Sequence, residues 1–242
     1  MKTYLAFLLG LPLLTSACSH ETKSAPTLKP TAFGAAIVES SGGKQFAQTG
    51  SLLPQPVVVQ VNDDQGNAVT GALVEFAAPA GVTFDPAAAL TDSSGQVTTS
   101  VSLGGMAGRY QITASTPGKS NKRLELKLEE LALGYQQTLG LRLNEQYCDR
   151  CHNPESTVER VSNYDNLEVK PHPFTEGDTL NKMSDADLLA IITNGGPAQQ
   201  KSALMPAWGN TLSKSDIQAL ISYIRAASDP PSRNAGPMYS RN

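Results

Sequence analysis

Cys148, Cys151 and His152 form a Cys-x-x-Cys-His run, with Asp149 and Arg150 between the two thiols. Thiols at this spacing lie on one helical turn and can add to the two vinyl groups on one edge of a porphyrin. The next residue then carries an imidazole to the iron, so the run has the spacing of covalent c-type haem attachment. A redox pair of cysteines would call for a strand-helix-strand context that the surrounding sequence lacks. A zinc site would need a second pair of ligands, and the chain holds three cysteines and three histidines in all.

These residues need helices to position them, and the hydrophobic period turns helical from about residue 132 onward. Ser184 with Asp187 three residues later is a capping-box variant, followed by Leu188, Leu189, Ile191 and Ile192 and ended by Gly195 and Gly196. Ser213 with Asp216 opens a last helix, in which Ile217, Leu220, Ile221 and Ile224 share one face. Segment 132–228 is therefore expected to be a helical domain, with a Pro- and Ser-rich tail over 229–242 that has little to bury.

With these motifs in view, about 134–228 resembles a small class I cytochrome c. Gly140 and Leu143 precede Cys148 at the spacing of that family's N-terminal helix, and Tyr223 falls where the family places an aromatic at the helix crossing. Asn144 is a departure, standing where an aromatic residue is usual. The resemblance implies an all-α cytochrome c fold, one covalently bound haem c, His152 as proximal ligand and Met205 as distal ligand. Met205 lies in the run Ala203-Leu204-Met205-Pro206-Ala207-Trp208-Gly209, similar to the family's Met-Pro loop. The resemblance also implies that a proline carbonyl, of Pro171 or Pro173, accepts the proximal imidazole N–H, and that Trp208 donates to a haem propionate. Other readings stay open: Met183 as a staple against Leu188, His172 as a rival sixth ligand, and Trp208 as plain core.

A thioether opposite an imidazole favours ferrous iron and fills both axial positions, which suits electron transfer rather than catalysis. The expected role is thus an electron carrier and not an enzyme. The alternatives are a docking or adhesion subunit of a larger redox complex, and a five-coordinate haem sensor or peroxidase in which Met205 does not reach the iron.

The preceding segment, 33–131, has a period of two. Val57, Val59 and Val61 alternate with Val58, Gln60 and Asn62 before the turn Asp63-Asp64-Gln65-Gly66-Asn67. Several such short runs without a helical period predict an all-β antiparallel sandwich. Asp63 and Asp64 are read as turn formers, with calcium ligation as the alternative. Ser41-Gly42-Gly43-Lys44-Gln45, the run 59–66, Thr91-Asp92-Ser93-Ser94-Gly95 and the run 108–114 follow in the order seen in bacterial Ig-like domains of the invasin and intimin type, a resemblance covering about 36–128. It implies a spacer or docking module. Each half has its own period and apolar faces, which predicts two separately folding units joined near 129–134.

Residues 1–17 carry Lys2, an apolar run from Tyr4 to Leu14 and small residues before Cys18, the pattern of an export signal. The run is shorter than the roughly 20 residues a spanning helix needs. It resembles a bacterial lipoprotein signal, with Cys18 as the lipid-modified residue, although Thr15 occupies a position usually held by Leu. Residues 18–32 read as a flexible tether. These features imply a lipid-anchored membrane protein of the cell envelope, facing the periplasm, with envelope redox proteins as partners. Ser19 after Cys18 resembles outer-membrane sorting. A net charge of −3 and the lack of a Lys/Arg stripe exclude nucleic acid as a partner.

Overall fold

The computed structural model describes residues 28–119, 122–154 and 161–232. Cys18, segment 1–17, most of the tether and the end of the tail lie outside the described residues.

The strands are β1 (Ala36–Ser41), β2 (Phe46–Gln48), β3 (Val57–Asn62), β4 (Leu73–Ala77), β5 (Thr83–Asp85), β6 (Ala88–Leu90), β7 (Gln96–Ser102), β8 (Gly108–Pro117) and β9 (Arg123–Leu133). They make a four-stranded sheet ordered β1-β3-β7-β5 and a five-stranded sheet ordered β2-β9-β8-β4-β6. Strand β3 has the expected alternation, with Val57, Val59 and Val61 fully buried between half-buried neighbours. Those valines join Val74, Val101, Ile112, Ala114 and Leu128 in one core between the sheets.

The antiparallel expectation needs one correction, because β2 pairs in parallel with β9, Phe46 opposite Leu131 and Gln48 opposite Leu133. A strand of three residues carries too little pattern to declare its direction. The aspartate turns behave as read. Asp63 accepts the backbone N–H groups of Gln65 and Asn67 at 2.8 and 2.9 Å, and Asp64 pairs with Lys119. Those backbone donors occupy the carboxylate, and the described residues include no acidic or imidazole cluster able to hold a metal ion.

Two segments expected to be loose are tied at their described ends. Thr31 donates its backbone N–H to the Gly71 carbonyl at 2.9 Å, so the tether's last residues already belong to the sandwich. Asp229 donates its backbone N–H to Thr175 and accepts from Gly177, and Ser232 is buried, so the start of the tail is pinned by backbone pairing.

The helices are α1 (Tyr135–Tyr147), α2 (Asp149–His152), α3 (Gly177–Leu180), α4 (Asp185–Asn194) and α5 (Lys214–Ala227). Both capping boxes form. The hydroxyls of Ser184 and Ser213 accept from the Asp187 and Asp216 backbone N–H groups, and each carboxylate accepts in return from its cap residue. Helix α1 crosses α5 where Gly140 leaves no room for a side chain. A Cβ there would strike the Ala219 carbonyl oxygen and come within 2.6 Å of the Tyr223 Cβ.

The expected boundary between 131 and 132 falls inside β9, which runs to Leu133, with Gly134 the one residue before α1. The two faces of that strand end go to different cores. Leu128 and Ala132 face the sandwich, while Leu131 and Leu133 pack among the helices with Leu220 and Ile224.

Candidate functional site

Helix α1 ends at Cys148, and its last-turn carbonyl from Asn144 accepts the Cys148 N–H at 2.8 Å. The chain turns at once into α2, where the Cys148 carbonyl accepts the N–H groups of Cys151 and His152, both at 3.0 Å. The two thiols and the imidazole therefore occupy one turn. Both thiols are free. Cys148 is buried, and that burial, with Cys151 beside it, pushes its thiol up to about 12. A redox-active Cys-x-x-Cys pair needs the opposite shift, so this environment does not favour that chemistry.

His152 is oriented by a backbone group. Its Nδ1 lies 2.8 Å from the His172 carbonyl oxygen. A carbonyl only accepts, so Nδ1 carries the hydrogen and Nε2 keeps its lone pair. Burial lowers the imidazole's pKa, with the His172 carbonyl opposing, which favours the neutral ligand form. The Phe174 ring lies against it at a centroid distance of 4.7 Å.

The expected acceptor was a carbonyl of Pro171 or Pro173, and the structure places that role on His172 between them. A peptide carbonyl points according to backbone torsions, and the two prolines fix the φ angles on either side of His172. The His172 side chain turns the other way. Its Nδ1 lies 2.9 Å from Glu176 Oε2, at the exposed surface.

Met205 sits in a loop that leaves α4 and returns to it. Gly195 takes a φ of 80° at the helix end, where a side chain would be strained. The Gly196 N–H donates to the Met205 carbonyl at 3.0 Å, and Lys201 donates to Gly196 at 2.8 Å. On the return, Trp208 and Gly209 donate to the carbonyls of Ile192 and Thr193, each at 3.0 Å, filling acceptors that a helix end otherwise leaves open. The indole then meets the Tyr147 ring at 5.3 Å, next to Cys148.

Cys148, Met205, Trp208, Phe174, Met183 and Leu188 share one apolar cluster. The structure thus gathers the Cys-x-x-Cys-His turn, the Met-Pro loop and the Trp into one region and turns the His172 side chain away from it.

Three supporting contacts have no counterpart in the sequence reading. Asn144 donates through Nδ2 to Asp149 Oδ1 at 3.2 Å, joining α1 to α2 in a buried setting. Phe174 covers the imidazole. Arg225, 4% exposed, donates from Nη1 and Nη2 to the carbonyls of Leu180 and Met183, each at 2.6 Å, and from Nε to Asp185 at 2.9 Å. It ties α5 to α3 and α4.

A free pair of thiols on one turn, beside an imidazole whose Nδ1–H is held and whose Nε2 is available, is the donor set that a covalent haem needs. The residues present fit that group.

Residues 54–127 match the family of bacterial Ig-like domains, group 1, and residues 136–224 match that of cytochrome c oxidase, cbb3-type, subunit III. No curated protein matches the chain. Among solved structures, the D00-D0 domain of intimin is 16% identical with a TM-score of 0.31, over 41% of this chain and 46% of that one. The D0-D1 domain of intimin is 17% identical with a TM-score of 0.33, over 43% and 49%. Invasin, described as a bacterial integrin-binding protein, is 18% identical with a TM-score of 0.31, over 40% and 19%. The chain spans about half or less of these solved chains.

Proposed function

We infer that this chain, in which a bacterial Ig-like domain precedes a cytochrome c domain, is a membrane-anchored monohaem electron carrier of the cell envelope. The observation that carries the reading is the held imidazole of His152, whose tautomer leaves Nε2 for iron while two free thiols stand on the same turn.

Cys148 and Cys151 would hold the haem through thioethers, and His152 and Met205 would ligate its iron. When bound, haem supplies a one-electron iron couple. The His172 carbonyl keeps the imidazole in one tautomer and makes Nε2 a better donor. Phe174 lies against the His152 imidazole and Tyr147 against Trp208, half-buried aromatic surface that would shield the group from water and, together with a soft thioether, favour the ferrous state. With His152 and Met205 both holding the iron, the proposed role would ask no residue to move a proton or attack a substrate.

Cys18 is the proposed lipid anchor, and the Ig-like domain spaces the haem domain from the membrane on the periplasmic side. The partners are envelope redox proteins. Among the described residues no helix is long and apolar enough to cross a membrane.

The test is the mass of the protein after export and denaturation. The expected result is the chain plus one haem, lost or sharply reduced in Cys148→Ala and Cys151→Ala, with His152→Ala changing the haem spectrum. A wild-type protein without haem, or three variants indistinguishable from it, overturns the reading.

A further inference from the structure

An antiparallel sheet of a sandwich commonly gives one face to the core and the other to water. The outer face of the five-stranded sheet departs from this at one corner, where Leu131 and Leu133 are 2% and 0% exposed because helices cover them. Phe46 on β2 and Arg109 on β8 both stand opposite Leu131 in register, so the three side chains form a row across β2, β9 and β8.

Every member of that row engages the helical lobe. The Phe46 ring meets Tyr223 of α5 edge-on, at a centroid distance of 6.0 Å and an interplanar angle of 86°. Leu131 enters the helical cluster. Arg109 Nη2 donates to the carbonyls of Ala226 and Ser228, at 3.2 and 2.7 Å, while Nη1 pairs with Glu129. Ala226 lies in the last turn of α5, whose carbonyls have no further helical turn to bond, and a cation there meets the negative end of the helix dipole. Arg109 is thus a C-cap supplied by the other lobe. The covalent connection is short as well, a single Gly134 between β9 and α1.

We propose that the sandwich is docked onto the helical lobe rather than tethered to it. The row Phe46, Leu131 and Arg109 clamps the end of α5, so the two lobes unfold as one cooperative unit. The docking itself does not depend on haem. Combined with the electron-carrier reading, it means that the Ig-like lobe sets the direction in which the haem face points, as a bracket does and a flexible stalk does not.

Trp208, the only tryptophan of the chain, reports the helical lobe alone. Val59 is fully buried in the sandwich core and takes no part in the helical cluster. In the full-length protein as isolated, Val59→Ala is introduced and denaturant unfolding is followed by Trp208 fluorescence and by hydrogen exchange of the β3 amides. The expected result is a shift of both midpoints to lower denaturant by the same amount. In an Arg109→Met, Phe46→Ala background the same substitution should move the β3 midpoint and leave the Trp208 midpoint in place. A Val59→Ala protein with an otherwise native row whose β3 midpoint shifts while Trp208 unfolds as in the wild type overturns the proposal. If Val59→Ala unfolds the sandwich outright, a retained native Trp208 transition overturns it equally and a lost one supports it. Val74→Ala, at a second fully buried sandwich position, repeats the measurement. Absence of haem from the isolated protein would sink the electron-carrier reading and leave this comparison intact.

Discussion

Gly140→Ala isolates the contact on which the α1–α5 crossing depends. Two effects oppose each other. Alanine is better than glycine inside a helix by about 0.8–1.0 kcal/mol. Against that, the new Cβ would strike the Ala219 carbonyl oxygen and lie 2.6 Å from the Tyr223 Cβ and 2.7 Å from the Ala219 carbonyl carbon. These atoms are the backbone of α5 and the root of one side chain, so no rotamer change relieves the clash and the helices must part. Overpacking of this kind costs about 1–3 kcal/mol, and the upper end applies when backbone has to move. The net expectation is a loss of about 2 kcal/mol.

The assay is equilibrium unfolding followed by Trp208 fluorescence, with Gly105→Ala as the control, since a Cβ at Gly105 meets nothing within 4 Å. For a cooperative unit of roughly 200 residues, 2 kcal/mol corresponds to about 4–8 °C in melting temperature. Helix α1 ends at Cys148, so parting the helices also displaces the thiol turn, and haem loading should fall with stability. A Gly140→Ala protein as stable as the wild type, or more so, would show that propensity outweighs the crossing contact and that the helices pack less closely than described.

Four further outcomes follow. Glu130 is fully buried and its native carboxyl titrates near 7 instead of 4.5, chiefly through burial, with Glu39 and Glu129 adding to the rise and the Gln45 N–H opposing it. An acid raised in this way costs nothing below the unfolded value and most above the native one, so stability falls as pH climbs from about 4.5 to 7, by at most about 3 kcal/mol. Glu130→Gln should flatten that slope and be the more stable protein at pH 8; a slope identical to that of the wild type would refute the assignment. Arg225→Met should cost about 1–3 kcal/mol in urea unfolding, because the half-buried Met183 carbonyl loses its donor and the buried Leu180 carbonyl keeps only the Met183 N–H, while Asp185 stays in solvent; a shift within about 0.5 kcal/mol would discount the tie. Met205→Ala should let the ferrous protein bind carbon monoxide and lower the reduction potential, whereas Met183→Ala should alter stability alone; the reverse pattern would reassign the ligand. Cys18→Ser should release the protein from the membrane fraction with its haem domain unchanged, and unaltered fractionation would remove the lipid anchor.

The parts of the fold legible from sequence are those where a period runs long enough to declare itself. Val57 to Asn62 shows a two-residue period over a full strand, and Ile217 to Ile224 a helical face over two turns, with Ser213 and Asp216 marking the start. Phe46–Gln48 is too short for any period, so neither its parallel pairing nor its role as a sheet edge could be read. The joint between the lobes did leave a trace. Leu131, Ala132 and Leu133 break the alternation into a continuous apolar run, which is what a strand buried on both faces looks like. Read as the last alternating residues of a sandwich, they place the boundary inside the strand.

At the site, the side chains proposed to hold a haem were legible, and the groups that hold those side chains were not, for a physical reason. Thiols, imidazole and thioether are rare and must stand at fixed spacing, so Cys148, Cys151, His152 and Met205 carry their chemistry in their identity. The acceptor for His152 is a backbone carbonyl, and every residue has one. Only the torsions imposed by Pro171 and Pro173 select the carbonyl of His172, and those become visible in three dimensions. Arg225 is the converse case. A lone arginine in an amphipathic helix reads as part of a solvated face, yet α5 carries it to the end of α3, where it donates to the carbonyls of Leu180 and Met183. Arg109 repeats the logic from the other lobe, reaching the carbonyls of Ala226 and Ser228. Both arginines add donors to carbonyls at or just beyond a helix end, and a helix whose ends are tied by distant side chains binds its neighbours more tightly than its own apolar stripe discloses.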